Sequence, residues 1–239
     1  MKIIDNISVV LGDELKAGTE AGAKIRVAAS CFSIFAYEAL RDELESVQEL
    51  EFVLTDPTFI PNDALGRSKK EKREFFIPKQ LRETAIYGTE FEIHLRNKLT
   101  QKAIARQCAD WIRRKVTFKS NATDAPMQQF AHIEARKGNT VFSPISGFSA
   151  VDLGYQPGNA VSNFTHAFED ELSAKTYLSL FDQVWANPDN VQDVTEQVLQ
   201  HIEAVYQENS PERIYFLILY NIFREFLEEV DDDVLPNDQ

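Results

Sequence analysis

Lys24-Ile25-Arg26-Val27-Ala28-Ala29, then Ile34-Phe35-Ala36-Tyr37-Glu38-Ala39-Leu40-Arg41-Asp42-Glu43-Leu44, then Glu51-Phe52-Val53-Leu54: these three runs decide the fold class. The first alternates after Gly22 and reads as a strand. The second places Phe35, Ala36, Ala39, Leu40 and Leu44 on one side of a helix. The third is a short strand stopped by Asp56-Pro57, because the residue before a proline is driven out of the α region. Strand, helix, strand within 35 residues is a βαβ unit, which predicts a parallel sheet with a right-handed crossover.

Outward from this unit, residues 61–88 read as a polar loop with fragments of helix, carrying Lys69, Lys70, Lys72 and Arg73. A helix is predicted over 98–115. At 100° per residue Ile104, Ala105, Cys108, Trp111 and Ile112 share one arc, while Lys98, Lys102, Arg106 and Arg113 form a separate narrow stripe. Strands are predicted at 116–119, 129–134 and 140–142, the last two joined across Lys137-Gly138-Asn139 as a hairpin. After Asn163 the chain becomes helical, over about 169–186, 191–207 and 211–230. Ser210 as N-cap and Pro211 at the first helical position mark the last start. Residues 214–220 are apolar on all sides, so that helix is buried on several faces, in this chain's core or against a second subunit or a following domain. Residues 234–239 read as a linker, and no internal repeat is present.

The 239 residues are 44% hydrophobic and 26% charged, an ordinary globular composition that excludes collagen, low-complexity and coiled-coil readings. No apolar run approaches a membrane span, and no apolar segment follows the N-terminus as in a signal peptide. Cys31 and Cys108 lack metal or disulfide spacing, so a reducing cytoplasm is the expected compartment. The formal net charge of −13 argues at first against a nucleic-acid partner, but the charge is uneven. Residues 169–239 hold 3 basic and 17 acidic side chains, whereas 67–119 hold 15 basic and 6 acidic. A basic middle beside an acidic end suggests a polyanion-facing surface next to a segment that faces something else.

His94, His132, His166 and His201 form no zinc-type spacing, so no metal site is expected. There is no phosphate-binding glycine loop of either common type and no Gly-x-Ser-x-Gly elbow. Ser146-Gly147-Phe148-Ser149 reads as ordinary turn chemistry. The stretch from Ala131 to Ser149 places His132 on a hairpin strand ahead of that Ser/Gly turn, with Ala150-Val151-Asp152-Leu153-Gly154 following.

This layout resembles the phospholipase D-like superfamily, whose signature is His-x-Lys, four residues, Asp, then Gly-Ser-x-Asn after a strand. The resemblance implies a histidine that attacks phosphorus, with lysine and asparagine stabilising the phosphoryl oxygens and no metal required. More specifically, Arg26–Leu44 with Leu54-Thr55-Asp56-Pro57-Thr58, Ile93–Lys119 and Glu212–Asn237 are similar to the N-terminal region of bacterial Swi/Snf-type superfamily II helicases. Those carry such a domain ahead of the motor. His132 takes the histidine position, but Glu134 stands where the family has lysine and Asn139 where it has aspartate. Pro144-Ile145-Ser146-Gly147 lacks the asparagine. Arg136 lies one register further along, and Lys137 faces the other side of the strand.

The expectation is therefore an α/β protein with a phospholipase D-like mixed sheet flanked by helices over 1–168, and an acidic helical extension over 169–239 leading towards a helicase motor. Its expected role is a non-catalytic accessory module of a DNA helicase or translocase. Lys69, Lys70, Lys72, Arg73, Lys98, Lys102, Arg106 and Arg113 would contact nucleic-acid backbone, weakening steeply with salt. The resemblance also implies a homodimer and a parent protein of restriction or defence systems. It assigns ATP and Mg to the motor and no cofactor to these residues. Two alternatives stand beside it. One is a metal-independent phosphodiesterase or nuclease using His132; the other is a protein-interaction scaffold without DNA binding.

Overall fold

The computed structural model describes residues 2–58, 90–123, 125–156 and 164–207, with 90–99 and 205–207 as helix backbone only. The elements run β1 (Lys2–Ile4), α1 (Leu11–Gly18), β2 (Lys24–Ala29), α2 (Ile34–Ala39), α3 (Arg41–Ser46), β3 (Glu49–Leu54), α4 (Glu90–Lys115), β4 (Val116–Asn121), β5 (Phe130–Ala135), β6 (Gly138–Ser143), β7 (Thr165–Phe168), α5 (Glu171–Ala186), β8 (Val191–Asp193) and α6 (Thr195–Gln207). The described residues form one mixed eight-stranded sheet in the order β1-β7-β6-β5-β2-β3-β4-β8. The predicted parallel unit is present: β2 pairs with β3 from Lys24↔Glu49 to Ala29↔Leu54, and β3 pairs in parallel with β4. The chain then returns to the far side of β2, where β5 runs antiparallel to it.

Strand alternation sends two sets of side chains to two faces. On one face Val27, Phe52 and Phe118 meet Phe32, Leu44, Trp111 and Ile112 in the larger core, beneath α1 to α4 and α6. The inward arc of α4 is the predicted one, with Ile104, Ala105, Cys108, Trp111 and Ile112 all buried. On the other face Ala28, Val53, Phe130 and Val141 pack under Ala174 and Phe181 of α5. That helix crosses the strands. Tyr177 meets Phe130 and Phe168 at one end, and Lys119 donates to the Trp185 carbonyl at 2.8 Å at the other.

Several local expectations are corrected. The helix over 34–44 is two helices broken at Leu40, whose backbone sits at φ −112° and ψ 17°. Leu40 at the break and Leu44 beyond it are both buried in the core. Helix α4 begins eight residues before the predicted start. The hairpin turns at Arg136-Lys137, because Ala135 pairs with Gly138 and Glu134 with Asn139. Residues 191–193 are a strand rather than the start of a helix; β8 pairs antiparallel with β4, so the sheet takes an edge strand from beyond residue 168. Residues 61–88 and the apolar segment 214–220 lie outside the described residues. Among the described residues no helix is long and apolar enough to cross a membrane.

Candidate functional site

The pairing of β2 with β5 sets Arg26 opposite His132, and the pairing with β3 sets Arg26 opposite Glu51. All three side chains lie on the α5 face, in the row next to Ala28, Phe130 and Val53. Arg26 is the hub. Its Nη1 donates to Glu134 Oε2 at 2.9 Å. Its Nε lies 3.3 Å from Glu51 Oε2 but is not aligned for a hydrogen bond. One row further out, Lys24 pairs with Glu49 at 2.6 Å. The hydrogen bond from Arg26 holds the Glu134 carboxyl below the usual carboxylate range, whereas burial pushes the Glu51 carboxyl up.

His132 is fully buried, at 0% exposure, and among the described residues neither ring nitrogen has a hydrogen-bond partner. Burial, and then the nearby Arg26 charge, lower its pKa to about 4. The imidazole is therefore neutral at pH 7. Neutrality suits a nucleophile, but a ring with no exposed surface does not reach a phosphodiester. The cation beside it is also spanned by two carboxylates, which oppose the approach of an anion.

The other positions of the motif do not converge on His132. Glu134 shares its face and is bound to Arg26, and Asn139 sits across from Glu134 on β6. The turn after β6 belongs to the opposite face, since Ile145 and Phe148 join the core beneath α4. Its polar groups are used structurally. Ser30 Oγ donates to the Ser146 carbonyl at 2.6 Å, and Ser149 Oγ meets Asp152 Oδ2 at 2.5 Å. Gly147 is required there, because a Cβ would lie 2.6 Å from Asp152 Oδ2 and 2.7 Å from Cys31 Sγ. Gly147→Ala is expected to cost about 1–3 kcal/mol from overpacking, measurable as a lowered urea midpoint. An unchanged midpoint would show that the turn yields without strain. Burial, with Asp152 close by, raises the Cys31 thiol, so it is not an activated thiolate.

No protein-family model matches this chain. No curated protein matches it either.

On α4 the basic stripe is only partly available. Arg106 is exposed and Lys102 half-buried, while Lys98 lies in the part of the helix described as backbone. Arg113 is taken up by two carboxylates, Asp110 at 2.8 Å and Glu203 of α6. Lys69, Lys70, Lys72 and Arg73 lie outside the described residues. His166 stands on β7 beside Phe168, and among the described residues no group of three or more His, Cys, Asp or Glu side chains could hold a metal. The cluster around Arg26 was missed by the sequence reading, although the alternating Lys24-x-Arg26 and Glu49-x-Glu51 on two parallel strands is its signal. Beside α5, Ala28, Val53, Met127, Phe130 and Val184 help to line an apolar cleft of about 140 Å³.

Proposed function

We propose that this chain is a non-catalytic accessory module of the phospholipase D-like type, belonging to an ATP-driven DNA motor and contacting nucleic-acid backbone. The observation that carries the non-catalytic half is the sealed His132, with Arg26 beside it held between Glu51 and Glu134. The basic run over 67–119, including the exposed Arg106, supports the backbone contact. Contacts of this kind position a strand without reading its sequence. The acidic end of the chain would face the motor or a second copy, and ATP and Mg would belong to the motor alone.

The test is to incubate the chain with labelled single- and double-stranded DNA in EDTA across a salt series. The expected result is intact DNA and a shift that fades with salt, with a logarithmic slope of about −0.9 for each duplex phosphate neutralised. Cleavage that His132→Ala removes would establish the nuclease reading instead. The absence of both shift and cleavage would leave the scaffold reading.

A further inference from the structure

The cations around the outer side of α4 are not equivalent. Arg113 is spanned by Asp110 and Glu203. Arg114 Nη2 donates to both carboxylate oxygens of Glu45, at 3.1 and 3.0 Å, and its Nε donates to the Asp110 carbonyl. Lys115 Nζ is turned inward to the carbonyls of Glu45 and Val47. Each of these is engaged in holding α4 to α3 or α6.

Two guanidinium groups differ. Arg106 is exposed and makes no ion pair among the described residues. Arg41, the first residue of α3, donates from Nη1 to Gln107 Oε1 at 3.1 Å. Its nearest carboxylate is Asp42, 4.0 Å from Nε and 94% exposed. An amide oxygen orients a guanidinium without cancelling its charge, and ordering it beforehand lowers the entropy cost of binding. Gln107 follows Arg106 directly, so the Arg41 guanidinium on α3 is docked at the turn of α4 that carries Arg106.

We propose that the phosphate-contact surface is composite, built from Arg106 on α4 and Arg41 on α3, and that Arg113 is a structural ion pair outside it. This rests on the nucleic-acid reading above and assigns its contact residues. The ligand class is the phosphate backbone, which the planar fork of each arginine grips through paired N–H groups.

The experiment measures duplex and single-strand DNA affinity of the full chain across a salt series, for wild type, Arg41→Gln, Arg41→Lys, Arg106→Gln and Arg113→Gln. Thermal melts accompany each to verify folding. Arg41→Gln and Arg106→Gln are each expected to weaken duplex binding by roughly 3–10-fold at low salt and to flatten the salt slope by about 0.9. Arg41→Lys is expected to keep most of the slope, and Arg113→Gln to leave affinity and slope unchanged. Wild-type affinity in Arg41→Gln, or a loss in Arg113→Gln equal to that in Arg106→Gln, would overturn the composite surface while leaving nucleic-acid binding standing. No salt-dependent binding by wild type would overturn both.

Discussion

Lowering the pH from 7 to 4 is expected to remove about 3 kcal/mol of stability through His132 alone. The unfolded ring titrates near 6.5 and the folded one at about 4. Between those values the unfolded chain binds a proton that the native chain refuses, so stability is full above pH 6.5 and falls as pH drops through the window. Each unit of difference is worth about 1.4 kcal/mol. The charged groups that reach the ring are Arg26 on β2, Glu134 on β5 and Asp182 on α5, and of these the arginine reinforces the effect of burial. Glu134 and Asp5, both held below their ordinary values, lose their stabilising contribution at lower pH, which separates them from the His132 window. The measurement is urea unfolding at half-unit pH steps on wild type and His132→Leu. The variant, which also removes two buried unsatisfied nitrogens, is expected to show no fall from 6.5 to 4.5, because burial holds the Glu51 and Glu38 carboxyls above their ordinary values and such groups favour the native state as pH drops. Parallel curves for the two proteins would show that the ring is not the titrating group.

Trp111→Ala is expected to destabilise the protein by about 3–5 kcal/mol. The indole is fully buried, packs at 5.0 Å from the Tyr37 ring and 6.4 Å from that of Phe32, and sits among residues of α2, α3 and the sheet. Its Nε1 donates to the Leu44 carbonyl at 2.9 Å, satisfying an acceptor near the end of α3. Alanine therefore leaves both a cavity and an orphaned carbonyl. In a chain of this size the loss corresponds to a drop in melting temperature of roughly 6–20 °C. Trp111→Phe, which keeps most of the packing and loses the hydrogen bond, is expected to cost about 1–2 kcal/mol. Equal losses for the two variants would mean that the hydrogen bond, not the packed volume, secures α4 to α3.

How far the molecule could be read from its residues depended on the range of the interactions involved. The parallel unit and the inward arc of α4 were legible because their signals are local: alternation in Lys24–Ala29, and apolar residues three and four apart from Ile104 to Ile112. Strands β1 and β8 have three residues each, too few for a period to show, and exist only because distant partners offer backbone groups. The break at Leu40 falls in a run that satisfies helical spacing throughout, so only docking against the sheet reveals it. In the candidate site, His132 was found but its confinement was not, because α5 and the charged row on β2 and β3 lie far away in sequence. The basic stripe was visible as composition. That Arg113 is spent on Glu203, 90 positions away, was not.

The antiparallel pairing of β1 with β7 joins Ile4 to Thr165, so during synthesis β1 waits for a strand made some 160 residues later. At 5–20 residues per second that interval is on the order of ten seconds. Throughout it, Ile4 and the α1 residues Leu11 and Leu15, all buried in the finished fold, lack the last strands of their half of the sheet. Lys2 opens β1, and Asp5 caps the backbone amides of Ile7, Ser8 and Val9 immediately after it. A short strand bracketed by a cation and a self-capped turn is a poor template for intermolecular pairing, and this protects the nascent chain until its own partner emerges.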